Sequence, residues 1–308
     1  MSPTAPRPAE PRLVATLIAR PGRPVIDSAL VTRAGGLLTD AAAPDWLAPG
    51  TAVDIEHAGT AEPPRAIADR LRAALGEAPV DVVVQPIAGR RKRLFLADMD
   101  STMIEQECID ELADKLGLKP HVAEITERAM RGEIAFAPAL RERVALLKGL
   151  PVKAVDDLIR DRITLTPGGR VLVGTLRAHG AYACLVSGGF TLFTDRIATM
   201  IGFDEARANR LVVQNDELAG RVEEPIFGQD DKLATLRELA GRFGLNAADA
   251  MTTGDGANDM PMIAAAGMGV AFHAKPAVKT VAAAQIDHGD LTALLYVQGY
   301  RDTEFATA

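Results

Sequence analysis

The feature that most constrains the fold is the stretch Asp98-Met99-Asp100-Ser101-Thr102, which follows the apolar run Leu94-Phe95-Leu96-Ala97. The apolar run predicts a buried strand. In an extended segment, residues two apart lie on one side, so Asp98 and Asp100 can leave the strand tip toward the same point. Two like charges held together are unfavourable unless a cation joins them or one carboxylate takes a proton. The stretch therefore indicates chemistry at a strand end.

Two later strands are predicted to end in similar polar, glycine-rich turns. Residues 181–186 lead into Ser187-Gly188-Gly189, and residues 250–253 lead into Gly254-Asp255-Gly256-Ala257-Asn258-Asp259. If the three strands are parallel, their turns lie at one edge of the sheet. Together with Lys232, these turns offer what phosphoryl transfer needs: oxygen ligands for Mg²⁺, a cation, backbone N–H donors and a nucleophile.

Helical periodicity fills the interval between the first and second of these strands. Apolar residues recur at helical spacing within residues 109–116 and 140–147, and the next convincing strand begins only at Ala181. One crossover helix is enough to join parallel strands, so the other helices are predicted to form a cap inserted at about residues 105–164. The predicted fold class is therefore α/β, a Rossmann-like doubly wound parallel sheet with an inserted helical cap.

The first 88 residues are predicted to form a small α+β domain, followed by a catalytic domain over residues 89–308. Strands are predicted at residues 13–18, 51–56 and 80–84, and helices at residues 25–34 and 64–75. Asp54, Glu56 and His57 are interpreted as the polar face of a strand rather than as a metal cluster.

Composition narrows the classes of function. The formal net charge of -7 argues against a nucleic-acid partner, and Arg90-Arg91-Lys92-Arg93 is interpreted as a solvated linker end. No apolar stretch reaches the length of a membrane span of about 18 residues. Two cysteines and an N-terminus unlike a signal peptide favour the cytoplasm. The sequence leaves the oligomeric state open, with a homodimer as one alternative.

The four segments named above resemble, in order and spacing, the four motifs of phosphatases of the haloacid dehalogenase superfamily. Within that superfamily the chain is most similar to the phosphoserine phosphatases, over roughly residues 94–298. This resemblance implies an Mg²⁺-dependent phosphomonoesterase that hydrolyses L-phosphoserine to L-serine and phosphate, the last step of serine biosynthesis. The small domain loosely resembles the regulatory-type domains that precede some bacterial phosphoserine phosphatases.

The resemblance also implies roles for the aspartates. Asp98 would attack phosphorus and form an aspartyl-phosphate, a known route for carboxylate nucleophiles. Asp100 would protonate the departing alcohol and later accept a proton from water. Mg²⁺ would bind Asp98, the main-chain carbonyl of Asp100, and Asp255.

The phosphate would be held by a second group of residues that the resemblance identifies. The Ser187 hydroxyl and the Gly188 amide would bind phosphate oxygens, and Lys232 would add a positive charge beside them. Asn258 would assist. Asp259 would orient the metal site or Lys232, as outer groups orient metal ligands.

Selection of phosphoserine would depend on the cap. By resemblance, Glu107 meets the substrate ammonium, Arg143 pairs with its carboxylate through a planar fork, and Phe136 supplies an apolar wall. Ala139 is a departure, because the family commonly has Ser at this position of a stretch that also contains Pro138.

Two alternatives remain open at this stage. One is a related phosphatase or phosphotransferase that acts on another small phosphomonoester. The other is a phosphoryl-binding regulatory protein that uses the N-terminal domain as a ligand sensor. The regulatory alternative requires a gap in the catalytic set, and the sequence contains none.

Overall fold

The structure is a computed structural model, and it describes residues 12–130 and 133–307. The chain forms two compact units: the first joins the residues up to Arg91 with Ala284–Phe305, and the second contains Lys92–Ala283 and the residues from Ala306. None of the described helices is long and apolar enough to cross a membrane.

Twelve β-strands and twelve α-helices follow one another along the described chain. They are β1 (Arg12–Ala19), α1 (Ser28–Gly35), β2 (Asp45–Ala48), β3 (Ala52–Ala58), α2 (Pro64–Leu75), β4 (Val80–Pro86), β5 (Leu94–Ala97), α3 (Cys108–Lys115), α4 (Lys119–Met130), α5 (Phe136–Ala145), α6 (Lys153–Asp161), α7 (Gly169–Ala178), β6 (Tyr182–Phe190), α8 (Thr191–Ile201), β7 (Glu205–Asn209), β8 (Leu211–Gln214), β9 (Glu217–Val222), α9 (Gln229–Arg242), β10 (Ala250–Gly254), α10 (Met260–Ala265), β11 (Met268–Phe272), α11 (Pro276–Val281), β12 (Ala284–Ile286) and α12 (Ala293–Val297).

The first unit is built on an antiparallel sheet with the strand order β2-β3-β1-β4. Leu17 and Ile55 of the sheet belong to one buried cluster with Ile67 and Leu71 of α2. Helix α2 has the predicted bounds, because Pro64 suits a first helical position and Gly76 adopts φ 65° just after the last one. Strand β2 was missed, since its four residues are too short to show alternation.

The interpretation of the basic cluster as a solvated linker end was wrong for Arg90. The Arg90 side chain is only 14% exposed, and its Nη1 donates to Asp54 Oδ2 at 2.6 Å. Asp54 is itself buried, so its charge needs this partner. Arg90 also donates to the carbonyl oxygen of Tyr296 at 3.1 Å. The cluster thus supplies a buried ion pair and a contact to the C-terminal segment of the same unit.

The C-terminal segment, residues 284–305, packs in the first unit, which the sequence did not predict. Asp81 on β4 accepts N–H bonds from Asp287 and Gly289, each at 2.7 Å, and Gln85 donates to the carbonyl oxygen of Val297 at 2.6 Å. The division into residues 1–88 and 89–308 stays a prediction, but residues 284–305 pack within the first compact unit.

The second unit contains a sheet in which β11, β10, β5, β6 and β7 lie side by side in this order, all parallel. Strand β5 is covered on both faces: Leu94 and Leu96 share a cluster with Leu236 of α9, while Phe95 stacks on Phe203. Burial on both faces explains the unbroken apolar run. The predicted α/β class with a doubly wound parallel sheet is confirmed.

The cap consists of α3, α4, α5 and α6, which fall within the predicted insertion. It also contacts the hairpin of β8 and β9: the Gly149 amide donates to the Leu218 carbonyl at 2.9 Å, and the Val152 amide donates to the Asp216 carbonyl at 2.8 Å. The hairpin turns at Asn215 and Asp216, which both adopt a positive φ. Strand β7 was missed, because its residues alternate weakly and most are only half-buried.

Candidate active site

Three neighbouring strands bring polar groups to one edge of the second unit's sheet. Asp98 follows β5, Asp255 follows β10, and Ser187 lies near the carboxyl end of β6. All three residues are buried. The Asp98 amide donates to the Thr253 carbonyl at 3.0 Å, which continues the parallel pairing of β5 and β10 into the turn. The predicted convergence of the three strand ends is therefore present in the fold.

The turn after Asp98 places Asp100 between the core and the cap. Asp100 Oδ1 accepts the backbone N–H of Cys108, the first residue of α3, at 2.9 Å. Its Oδ2 accepts the Ser187 hydroxyl at 3.2 Å. Burial, and then the charge of Asp98, raise the pKa of Asp100 to about 6. A carboxyl group with such a pKa can both give and take a proton near neutral pH.

Lys232 on α9 is fully buried and joins two of the aspartates. Its Nζ donates to Asp98 Oδ1 at 2.6 Å and to Asp259 Oδ1 at 2.7 Å. Burial opposes the charge of the ammonium, but the carboxylates of Asp259 and Asp98 outweigh it and raise the pKa of Lys232. The lysine therefore stays charged, and it fixes one oxygen of Asp98.

The turn after β10 holds its own carboxylates in place. Asp259 Oδ2 accepts the Gly256 amide at 3.1 Å, and Asp255 Oδ1 accepts the Thr102 hydroxyl at 3.3 Å. A Cβ atom at Gly254 would lie 2.3 Å from Asp259 Oδ2, so the close approach of this carboxylate requires glycine.

The buried carboxylates of Asp98, Asp255 and Asp259 form a group that suits a cation. One oxygen from each lies within 4.8 Å of the others. Burial, followed by the charge of Asp98, raises the pKa of Asp255 and raises that of Asp259 to about 7. Lys232 compensates only part of this negative charge. A set of oxygen donors with excess negative charge fits Mg²⁺.

Residues 187–189 were predicted as a turn, but β6 continues through them with a shift in register against β7, and cap and core residues meet around Gly188. The Gly189 amide donates to Ser187 Oγ at 2.8 Å, which fixes the hydroxyl. A Cβ atom at Gly188 would lie 3.3 Å from Phe136 Cζ and 3.8 Å from Asn258 Nδ2. The side chains of Phe136, from the cap, and Asn258, from the core, thus both pack against the backbone at Gly188. Because glycine has no side chain, it leaves room for both.

Glu107 lies at the start of the cap and faces the core turn. Its Oε1 accepts the Ser101 hydroxyl at 2.7 Å. Glu107 is exposed by surface area, yet the protein around its carboxyl group desolvates it. This desolvation, and then the charge of Asp100, raise the pKa of Glu107 to about 7.

Arg143 lies on α5 and is half-buried. Its Nε donates to the Ala139 carbonyl at 3.3 Å, and its Nη1 donates to Thr126 Oγ1 at 3.4 Å. Burial lowers the pKa of Arg143, while the charges of Asp110 and Glu107 oppose that change. Helix α5 runs through Pro138 without interruption, since a proline in the first turn removes no intrahelical bond.

The structure brings every predicted site residue to this edge of the sheet or to the adjoining cap helices, and it adds residues that the sequence reasoning missed. Thr102 holds Asp255, Cys108 holds Asp100, and Ser101 holds Glu107. Ser101 and Thr102 belong to the first motif, residues 98–102. Their contacts could not be predicted, because the backbone of the turn after β5 decides where their side chains point. The roles of all these residues in a reaction stay predictions.

Comparison with known proteins decides the family. The family model described as haloacid dehalogenase-like hydrolase matches residues 95–264. The chain belongs to this family. The hydrolase is 43% identical over 247 residues to a phosphoserine phosphatase of Archaeoglobus fulgidus, a match that covers 80% of this chain and 70% of that relative. The predicted family and enzyme class are thus confirmed.

Two solved structures extend the comparison. A haloacid dehalogenase family hydrolase from Salmonella enterica serovar Typhi matches with a TM-score of 0.83 at 28% identity, covering 93% of this hydrolase and 98% of that chain. A phosphoserine phosphatase described as a phospho-aspartyl intermediate analogue matches with a TM-score of 0.62 at 40% identity, covering 67% and 98%. The first match spans nearly the whole chain, and the second covers two thirds of it.

Proposed function

We propose that this hydrolase removes the phosphate group of L-phosphoserine through an aspartyl-phosphate on Asp98, yielding L-serine and phosphate. The observation that carries the proposal is the buried Lys232 ammonium, bonded to Asp98 and Asp259 beside Asp255. The name of its relative in Archaeoglobus fulgidus supports the choice of substrate. On this proposal the enzyme completes serine biosynthesis.

In the first step, Asp98 acts as the nucleophile. Lys232 holds Oδ1, so the second carboxylate oxygen attacks phosphorus while the bond from phosphorus to the serine oxygen breaks. The leaving alkoxide takes a proton from Asp100, whose pKa of about 6 leaves part of the population protonated near neutral pH. Ser187 and the Gly188 amide hold the phosphate oxygens during this transfer.

In the second step, water hydrolyses the aspartyl-phosphate. Asp100, now a carboxylate, accepts a proton from the attacking water, and the bond from phosphorus to Asp98 breaks. Phosphate leaves, the Asp98 carboxylate is restored, and Asp100 is again protonated. Asp100 stays aligned because the Cys108 amide binds its Oδ1, while the single proton of the Ser187 hydroxyl turns from Asp100 to the phosphate when substrate is bound.

The residues present fit a resident Mg²⁺ ion. Asp98, Asp255 and the main-chain carbonyl of Asp100 would hold it, and Asp259 would keep Lys232 beside them. Bound there, Mg²⁺ would offset the negative charge that builds up as the carboxylate approaches the phosphate.

Phosphoserine differs from other small phosphomonoesters by its ammonium and carboxylate groups. Glu107 offers the anion for the ammonium, and Arg143 offers a fork for the carboxylate. Phe136, 39% exposed, supplies the apolar wall between the cap and Gly188. Such a pocket rejects esters that lack either charged group, because one of its own charges is then left unpaired.

The assay that tests the proposal is Mg²⁺-dependent phosphate release from L-phosphoserine, phosphothreonine and simple aryl phosphates. Asp98→Asn serves as the blank, and Asp195→Asn, at an exposed position on α8, is the matched control. We expect a strong preference for L-phosphoserine and no phosphate release by Asp98→Asn above a reaction without enzyme. Both variants should melt close to the unaltered protein, because an Asn oxygen at position 98 can still accept from Lys232 and Asp259 keeps the ammonium paired. Preference for another ester would discard the substrate; no turnover of any ester would favour a phosphoryl-binding regulatory protein.

The proposal also includes the cellular location of the enzyme and its binding partners. Both cysteines are buried free thiols, which suits the reducing cytoplasm in which serine is made. The small phosphomonoester is the partner that we propose. The exclusion of nucleic acid and membrane rests on the sequence prediction alone, and a homodimer stays an open alternative.

A further inference from the structure

Ser101 combines two features that the proposed chemistry does not use. Its backbone adopts φ 54° and ψ 8°, a left-handed conformation that side chains with a Cβ rarely adopt. Its hydroxyl donates to Glu107 Oε1 at 2.7 Å. Residues kept in such a conformation must be held by their surroundings, and they are concentrated at functional sites.

The surroundings that hold Ser101 are the connections between core and cap. The Ser101 amide donates to the Gln106 carbonyl at 3.3 Å, and the Gln106 side chain accepts the Thr164 amide at 2.8 Å. The Glu105 amide in turn donates to the Thr164 carbonyl at 3.0 Å. The two chain segments that connect the core with the cap are therefore hydrogen-bonded to each other at Gln106, the residue before Glu107.

This arrangement leaves the Ser101 hydroxyl little choice of direction. The backbone on either side is fixed by Asp100, whose carboxylate is bonded at both oxygens, and by Thr102, which is fully buried and bonded to Asp255. Glu107, in contrast, is exposed and has a long side chain. Within the described chain, the bond from Ser101 is the one hydrogen bond found to its carboxyl group. Ser101, whose position is fixed, therefore orients the flexible side chain of Glu107.

We propose that Ser101 is a positioning residue for substrate selection: its hydroxyl holds the Glu107 carboxylate where the ammonium group of the substrate arrives. The inference rests on the proposed function and names a determinant of its specificity. Without the hydroxyl, the Glu107 side chain samples several rotamers. Binding of the substrate ammonium then includes the entropic cost of ordering this side chain. Ser101 itself touches no reacting atom.

A double-mutant cycle tests this coupling. The variants are Ser101→Ala, Glu107→Gln and the double variant, each assayed with L-phosphoserine and with 3-phosphoglycerate, which carries a hydroxyl in place of the ammonium. The readout is the ratio of kcat/KM for the two substrates. Because the arriving ammonium must then order the Glu107 side chain, we expect Ser101→Ala to lower this ratio by about three- to tenfold. The double variant should resemble Glu107→Gln alone.

Ser101→Gly separates the hydroxyl from the backbone. Glycine adopts φ 54° without strain and also lacks the hydroxyl, so it should lower the ratio as much as alanine does. A normal ratio in Ser101→Gly, or losses that multiply in the double variant, would overturn the proposal. If Ser101→Ala fails to fold, the same cycle is run with Ser101→Gly.

The assay also distinguishes failure of this inference from failure of the proposed function. If the unaltered enzyme shows no preference for L-phosphoserine over 3-phosphoglycerate, the proposed substrate is wrong. If it shows that preference and Ser101→Gly keeps it, only the positioning role is wrong.

Discussion

The two ends of the active site are built in opposite ways. At the phosphate end, Asp98, Lys232 and Asp259 are buried and joined by bonds of 2.6 and 2.7 Å that link three elements of the core. At the selecting end, Arg143 has bonds of 3.3 and 3.4 Å within the cap, and Phe136 is exposed. The groups to which we assign the chemistry are thus rigid, while Arg143 and Phe136, two of the three residues proposed to select the substrate, are held loosely; the third, Glu107, is fixed through Ser101.

The contrast follows from what each end must do. Charge development on phosphorus is stabilised best by groups that do not reorganise during the reaction. A pocket for the rest of the substrate must admit it and then close over it, which favours a cap held by separable contacts. The same division lets one phosphate site serve different substrates when only the cap residues change.

The largest effect is expected from breaking the rigid end at its centre. Lys232→Met leaves the carboxylates of Asp98 and Asp259 buried without their cation, so activity should fall to the level of the Asp98→Asn blank. Removing one partner of a buried ion pair typically costs about 3–5 kcal/mol of folding stability. Urea unfolding measures this loss, and Lys153→Met on the exposed surface of α6 is the control. Equal stability of the two variants would contradict the account.

At the selecting end, Arg143→Ala should change substrate preference more than turnover. Loss of a charge-assisted contact to the substrate carboxylate should lower kcat/KM for L-phosphoserine by about 10- to 100-fold. Phosphoethanolamine, which lacks that carboxylate, should lose far less. Arg141→Ala is the matched control, because Arg141 is exposed and pairs with Glu224 instead. Similar losses on both substrates would remove Arg143 from the pocket.

A smaller effect concerns pH. Burial and the charge of Asp100 raise the pKa of Glu107 to about 7, so below this pH the carboxyl group is increasingly neutral. The preference for L-phosphoserine over 3-phosphoglycerate should therefore rise most steeply around pH 7 and level off about one pH unit above it. Bound Mg²⁺ moves the midpoint downward, because its charge favours the carboxylate. In Glu107→Gln the preference should not vary with pH; a persisting dependence would assign it to another group.

The smallest effect is expected at Ala139, where the family commonly has Ser. Arg143 contacts the carbonyl oxygen of this residue, which any side chain leaves in place. A serine hydroxyl can bond back to a helix carbonyl one turn earlier. Ala139→Ser should therefore change kcat/KM for L-phosphoserine by less than about threefold, well under 1 kcal/mol. A tenfold change would show that the selecting end is packed as tightly as the phosphate end.

The same contrast explains what the sequence could predict. The aspartates of the phosphate end were predicted because they follow strands whose apolar runs are easily recognised, whereas Lys232, on helix α9, was predicted from the resemblance of the four motifs to those of the family. The left-handed backbone of Ser101 and the bond from Arg143 to Thr126 depend on turns and helix packing that no local pattern encodes. Those contacts are seen only in the folded chain.

The fold shows a similar limit. Buried strands such as β5 and the amphipathic helix α2 were predicted with the correct bounds, since both have strong periodic or apolar signals. Strand β7, at the edge of the sheet, and residues 284–305, which pack in the first compact unit, were not anticipated. Their placement is set by contacts with distant parts of the chain, such as the bond from Gln85 to Val297.

The central claim is that Asp98 carries the phosphoryl group, and one measurement tests it most directly. The enzyme is mixed with ³²P-labelled L-phosphoserine and Mg²⁺, quenched with acid during turnover, and digested. We expect label that hydroxylamine releases, located on the peptide containing Asp98 and absent from the Asp98→Asn variant. Turnover without any trapped label on that peptide, or label on a different residue, would contradict it.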